Sequence, residues 1–388
     1  MKILCITSRI PWPLEKGDKL RIYHQLRMLS RQHELILFAV NDGDVHPDAL
    51  KALAPFCSKQ VYHTHSKWQL MVNLIRGLFN GKPFQVAYFN SYSAVKKLRK
   101  LIAEEKPEAV YCQLIRTAPY HAFFPADIPS VLDYMDVFSK GVERRIPKVP
   151  WLLRWIYRME WKRLLRYERE VFNEFRSHTV ISAQDRDLLP LENNSSLVVV
   201  PNGVDTYFFT PTDAVKTHEL IFNGNMNYPS NIESAVFIVK EVLPLVWKRM
   251  PGVRLMISGA SPAPTVMALA SEQVTVTGWV DDIRDNFNAS RILIAPMKSS
   301  IGLQNKLLEG MAMGLPCITT ALSNNALGAI PGEEILIAET AQEYASAICS
   351  LLEQPEEARR IAERGHRLVH EKFDWQSATS KLEILFTK

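Results

Sequence analysis

The pattern that most limits how this chain can fold is an alternation running almost from end to end. Short, continuous apolar runs rich in β-branched residues are separated by stretches with helical periodicity. A first series comprises KILCIT (2–7), ELILFAV (34–40), AVYC (109–112), SVLD (130–133), HTVIS (178–182) and LVVV (197–200). A second comprises ELIFNG (219–224), VRLMISG (253–259), VTVTG (274–278), ILIAP (292–296), PCITT (316–320) and ILIA (335–338). Runs that are apolar throughout mark strands covered on both faces. Strands alternating with helices of roughly 10 to 15 residues mark parallel, doubly wound sheets. The expected class is therefore α/β, with two Rossmann-like domains facing each other. The segment PNGVDTYFFTP (201–211), bracketed by Pro201 and Pro211, reads as the linker between them.

Composition agrees. At 388 residues, two domains of roughly equal size are expected. Hydrophobic residues make up 47% and charged residues 22%, as in globular proteins, which excludes fibrous and disordered classes. The longest apolar stretches, such as LILFAV (35–40), are far shorter than the ~18 residues of a spanning helix. The opening MKILCITSRIPWP has too short an apolar run for a secretory signal and reads as a core strand, so a cytoplasmic protein is expected. Five cysteines without a CxxC pair, three of them (Cys5, Cys112, Cys317) inside strand-like runs, act as small buried hydrophobes rather than as a disulfide framework or zinc site. A net charge of +5 favours anionic small molecules or an anionic membrane surface, and is too small to argue for nucleic acid.

The first βα connection, SRIPWPLEKGDKLR (8–21), has no GxGxxG, so a dinucleotide is not expected there. Two readings stand for Gly17 and Asp18: a glycine that lets backbone approach a ligand at a helix N-terminus, or an ordinary capped helix. The segment SSIGLQNKLLEGMAMGLPCITT (299–320) is the most informative. It follows a strand and opens a helix near Gln304 that ends at Gly314. That helix aims its N–H groups at the carboxyl edge of the sheet, a site for a diphosphate. Lys306 adds a positive charge, and Glu309, three residues on, is placed to clamp a ribose; the alternative is a surface ion pair. Asp133 and Asp136 lie near a strand's carboxyl end, where a carboxylate stabilises positive charge in a transition state or steers a hydroxyl, although Asp133 also reads as a cap. Arg116 is a candidate for an anionic group. Two D-x-D strings, Asp42-Gly43-Asp44 and Asp185-Arg186-Asp187, together with His63 and His65, lack a convincing ligand set, and no metal is expected. Residues 151–172 interleave tryptophans with arginines, which fits either peripheral membrane contact or a helix packed on the first domain with its arginines solvated.

The run GLQNKLLEGMAMGLP, the segment PNGVDTYFFTP and the opening IPWPLEKGDKLR resemble the retaining glycosyltransferases of family 4, which have the GT-B fold. Residues 340–375 are similar to that family's C-terminal helices, and the resemblance spans essentially the whole chain. It is strongest to a subgroup associated with exopolysaccharide and exosortase gene clusters, through the GDK loop, the DYMDVFSK stretch and the QNK…E helix. The resemblance implies an acceptor-binding domain at 1–200, completed by a returning helix at 374–388, and a nucleotide-sugar domain at 201–373. It implies a nucleoside-diphosphate sugar as substrate, no cofactor, and a glycan or lipid-linked acceptor in cell-surface polysaccharide synthesis. Donor contacts are then expected from Gly17, Gly224, Asn225, Ser300, Gly302, Leu303, Gln304, Asn305, Lys306 and Glu309. Acceptor contacts are expected from Asp18, Arg116 and Asp133, and catalytic roles from Asp136, Lys306 and Glu309. Two departures stand out. Ile301 replaces the first of two glutamates common in the family, and the loop NGNMNYPSN (223–231) lacks the usual Arg and Lys. The diphosphate charge then falls to Lys306, to helix N–H groups, or to Arg9, Lys16 or Lys19. Where relatives place a histidine near the reacting sugar, this chain has Met135 beside Asp136. A sugar-nucleotide epimerase of the same fold and a non-catalytic sugar-nucleotide or glycan-binding partner are the competing readings.

Overall fold

The computed structural model describes residues 1–14, 16–297 and 302–387. The chain divides into two compact units, Met1–Pro201 with the segment from Ala378 onward, and Asn202–Ser377.

The first unit is built on seven strands, β1 (Lys2–Thr7), β2 (Glu34–Asn41), β3 (Lys59–Thr64), β4 (Ala109–Gln113), β5 (Ser130–Met135), β6 (Ser177–Val180) and β7 (Val198–Val199), in the order β3-β2-β1-β4-β5-β6-β7. Every pairing between them is parallel. The alternation of side chains explains the unbroken apolar runs. Leu4, Ile6, Ile36 and Phe38 enter one buried cluster, and Ile3, Cys5, Leu35 and Leu37 enter a second on the other face. The second cluster is completed from the far end of the sequence by Leu382, Leu385 and Phe386, whose ring meets Tyr111 edge-on at 6.1 Å. All five cysteines are free and buried.

Strand β3 was not among the expected strands. Its sequence KQVYHT is polar because it lies at the sheet edge, where one side of the ladder is unpaired. The helix Gly17–Leu29 also begins earlier than expected, with Lys16 at its N-cap, so Asp18 sits in the first turn and does not cap. Strand β5 continues through Asp133 to Met135.

The second unit repeats the plan with β8 (His218–Asn223), β9 (Leu255–Ser258), β10 (Val274–Gly278), β11 (Ser290–Ala295), β12 (Cys317–Thr319) and β13 (Leu336–Ile337), ordered β10-β9-β8-β11-β12-β13 and parallel in every pair. Strand order reverses direction between β8 and β11, so the loops after these two strands diverge and leave a crevice at their carboxyl ends. The backbone is tightest there. Gly259, after β9, has φ +132°, and a Cβ on it would stand 1.9 Å from the Gly224 carbonyl oxygen. Gly259→Ala is expected to lower stability by ~2 kcal/mol or more, read as an earlier thermal midpoint, because backbone rather than a flexible side chain would have to move.

Candidate functional site

In the second unit the crevice at the switch point is lined from two sides. Strand β8 ends at Asn223 and is followed by Gly224, at φ +149°, whose N–H donates to the Ser258 carbonyl at 3.0 Å. Across from it the helix Asn305–Ala312 starts at Gln304, whose own side chain does not cap its first turn. Its own sequence explains the local geometry. Leu307, Leu308, Met311 and Ala312 are buried and anchor the helix. A Cβ on Gly310 would stand 2.4 Å from the Leu293 side chain, so the helix lies close against β11.

Lys306 is only 8% exposed. Its Nζ donates to Asn231 Oδ1 at 2.8 Å, lies 3.6 Å from Met297 Sδ, and stands 4.4 Å from the centre of the Phe222 ring. Among the described residues no carboxylate reaches ion-pairing distance of it. Burial therefore pulls its pKa down to about 7, against a smaller upward pull from Glu309. Glu309 does not form the surface ion pair considered from the i,i+3 spacing: its Oε2 accepts from Asn223 Nδ2 at 3.1 Å, and desolvation raises its pKa. Asn231 is held in turn by its Nδ2, which donates to the Asn225 carbonyl at 2.8 Å. The Oδ1 of Asn223 is buried without a partner. The result is a polar pocket in which an Nζ bonded to a neutral asparagine, a carboxylate and the start of a helix come together.

The donor positions expected from sequence are thereby located. Gly224, Asn225, Lys306 and Glu309 come together around this pocket. Asn305 accepts from Asn202 Nδ2 at 3.4 Å, the Gly302 carbonyl accepts from Gln304 Nε2 at 2.7 Å, and Leu303 is buried. Ser300 and the departure at Ile301 lie outside the described residues. Sequence reasoning missed Asn223, Asn231 and Phe222; for the two asparagines the signal was present in the asparagine-rich string NGNMNYPSN (223–231), which begins at the last residue of β8. A Cβ at Gly224 would stand 2.8 Å from Asn231 Nδ2 and 3.2 Å from Lys306 Nζ. Gly224→Ala is therefore expected to displace the Lys306 side chain and to lower stability by ~1–3 kcal/mol, read as an earlier thermal midpoint.

The remaining expected positions belong to the first unit. A Cβ at Gly17 would meet nothing within 4 Å, so the glycine is not demanded by packing. Asp18 forms a short ion pair with Arg9, and its carbonyl accepts from Gln113 Nε2 at 2.8 Å. Arg116 donates to Gln85 Oε1 at 2.8 Å and lies over the Phe89 and Phe138 rings, at 5.4 and 4.9 Å. Burial, with Arg9 nearby, lowers its pKa to about 10. Arg9, Asp42 and Arg116 line a cavity of about 240 Å³ that Tyr88, Phe84 and Leu74 wall with apolar surface. Asp136, just past the end of the central strand β5, reaches solvent. Its carboxyl is pushed up to about 6 by the protein around it and then by Asp185, with Arg21 opposing.

Asp133 corrects the expectation of an acceptor ligand. It is fully buried and accepts from Arg21 Nε at 2.7 Å, Tyr111 OH and Thr179 Oγ1 at 2.9 Å, and the Met135 N–H at 3.2 Å. A carboxylate saturated in this way has no lone pair to offer a ligand. Asp185 lies in the first turn of a short helix whose N-cap is Ser182, with which it exchanges hydrogen bonds. Among the described residues no group of three His, Cys, Asp or Glu is placed to hold a metal ion, and no helix is long and apolar enough to cross a membrane.

Comparison with known proteins fits this geometry. Residues 217–354 match the family model Glyco_trans_1_4, described as Glycosyl transferases group 1. An uncharacterized 44.6 kDa protein in the cps region of Klebsiella pneumoniae is 20% identical over 406 aligned positions, covering 98% of each chain. A mannosyltransferase of Mycolicibacterium hassiacum, MMP alpha-(1->4)-mannosyltransferase, is 25% identical over 54% of this chain and 53% of its own. Among solved structures, Anabaena Alr3699/HepE in complex with UDP superposes with a TM-score of 0.72 at 14% identity over the full length of both chains. Sucrose-phosphate synthase from Thermosynechococcus elongatus gives 0.70 at 15% identity, covering 100% of this chain and 98% of its own. The GT-B fold and the match of the second unit to a glycosyltransferase family model support a GT-B glycosyltransferase.

Proposed function

We propose that the chain transfers a sugar from a nucleoside-diphosphate sugar to a glycan or lipid-linked acceptor, with retention and without a metal ion, in the synthesis of a cell-surface polysaccharide. One observation carries this reading. Lys306 is a buried amine bonded to a neutral asparagine, beside a helix start that the Gln304 side chain does not cap and a carboxylate held off by another asparagine. A diphosphate supplies the anion that this pocket lacks, and Glu309 is placed to accept from ribose hydroxyls. As the glycosidic bond to the diphosphate lengthens, negative charge grows on the leaving oxygens. Lys306 and the helix N–H groups stabilise it without reorganising. The acceptor hydroxyl attacks from the face the diphosphate leaves; within the first unit, the raised pKa of Asp136 suits a proton acceptor. UDP bound to the structural relative and the cps-region relative favour a nucleoside-diphosphate donor and a polysaccharide product.

The test is a thermal-shift panel of UDP, GDP, ADP, CMP and NAD, each with and without magnesium. One nucleoside diphosphate at about 100 times its dissociation constant is expected to add ~2.7 kcal/mol of stability, with or without the metal. Absence of any response would leave the non-catalytic partner as the better reading.

A further inference from the structure

Every strand pair in the second unit is parallel, so the amino ends of its strands share the sheet edge opposite the crevice that holds Lys306. Lys216 lies two residues before β8, Arg291 is the second residue of β11, and Pro316 immediately precedes β12. These three line a cavity of about 800 Å³ that is flanked by two helices, Ala341–Glu353 and Pro355–Lys372. The longer helix presents residues to it in every turn from Pro355 to Glu371, at i, i+3, i+4 spacing. Small residues leave the space: Gly314 on one side, and Ala358 and Ala362 on the long helix.

The lining divides by chemistry. Ile292, Leu315, Leu351 and Ala362 are buried residues that give it apolar surface, extended by Leu352. With them stand the cations Lys216, Arg291, Arg359 and Arg367 and the carboxylates Glu363 and Glu371. Arg359 is taken by Glu363, at 2.8 Å. Among the described residues the side chains of Lys216, Arg291 and Arg367 have no hydrogen-bond or ion-pair partner, and Glu371 is the one carboxylate left to face them. Lys216 and Arg291 also repel each other: burial first, and then the Arg291 guanidinium, lower the pKa of the lysine. Like charges held together beside apolar walls give the cavity a positive potential.

We propose that this cavity binds a small amphipathic anion, a carboxylate or phosphate monoester carried on an apolar body, with its charged group held by Lys216 and Arg291. The volume is that of a small-molecule site, and apolar lining with a few convergent charges is what such sites share. The unpaired cations select an anion, and the apolar walls select a body that a bare inorganic ion lacks. The site is distinct from the crevice at the other edge of the sheet, yet one element touches both. The helix Asn305–Ala312, ~12 Å long, carries Lys306 in its first turn and runs out into Gly314 and Leu315 on the cavity wall.

The test is calorimetric titration of the full chain with octyl phosphate, octanoate, octanol and inorganic phosphate. The better of the two octyl anions is expected to bind at least about tenfold more tightly than octanol or inorganic phosphate, and the preference between the two identifies the anionic group. Lys216→Gln/Arg291→Gln is expected to lose that advantage at an unchanged or higher melting temperature, because removing two like charges relieves their repulsion. Ala358→Trp fills the space and is expected to abolish binding of both octyl anions. The proposal is overturned if neither octyl anion binds, or if octanol or inorganic phosphate binds as tightly as they do. It is equally overturned if Lys216→Gln/Arg291→Gln or Ala358→Trp binds them as the wild type does. None of these readouts depends on a nucleotide or on transfer activity, so the proposal and the functional reading fail separately.

Discussion

Lys306→Met is expected to abolish the stabilisation that a nucleoside diphosphate gives the wild-type chain, and at the same time to raise the melting temperature of the ligand-free protein. The two effects have one cause. Burial lowers the folded-state pKa of Lys306 from 10.5 to about 7. Between those values the unfolded chain holds a proton that the folded chain has released, so stability rises with pH across that window. Below pH ~7 both states are protonated and the full cost of burying the ammonium is present. That cost is on the order of a few kcal/mol, which methionine, of similar length and apolar, removes. A bound diphosphate pairs the ammonium and pulls its pKa back up, so binding takes up a proton above neutrality. Wild-type affinity is therefore expected to fall towards tenfold for each pH unit above ~7, and the variant to show no such slope. Calorimetric titrations at pH 6.5, 7.5 and 8.5 read both arms. A variant that keeps nucleotide affinity, or a ligand-free protein that Lys306→Met destabilises, would sink the assignment of this lysine to the diphosphate.

The stored cost at Lys306 also marks what the sequence could and could not show. The strands of both sheets are legible because burial on both faces leaves unbroken apolar runs, and β3 is hidden because an edge strand need not be apolar. Lys306 and Glu309 are legible because a helix opening after a strand has only one place to aim its N-terminus. Their isolation from each other is not, since i,i+3 spacing alone suggests a pair. What separates them is Asn223 and Asn231, two neutral residues from another strand and helix, whose role depends on the strand order 10-9-8-11.

The largest expected loss of stability is at Asp133, and it distinguishes two roles that sequence alone left open. Arg21 and Asp133 are both fully buried and bonded at 2.7 Å, with Tyr111 and Thr179 completing the carboxylate's shell. Asp133 stands on a central strand and Arg21 on the helix that follows β1, so the pair pins that helix to the middle of the sheet. Asp133→Asn keeps the shape and deletes the charge, leaving a guanidinium in the core beside a neutral amide. Removing one partner of such a pair costs ~3–5 kcal/mol, because the surviving charge stays desolvated. For a unit of this size that is a fall of about 10 °C in melting temperature. Arg21→Met/Asp133→Leu, which removes both charges, is expected to recover more than half of the loss, since the penalty lies in the orphaned charge and not in the missing bond. An acceptor ligand would behave differently: Asp133→Asn would raise the KM for acceptor at an unchanged melting temperature, and the double variant would repair nothing. Thermal unfolding of the three chains, with KM measured on the fraction that stays folded, separates the two outcomes.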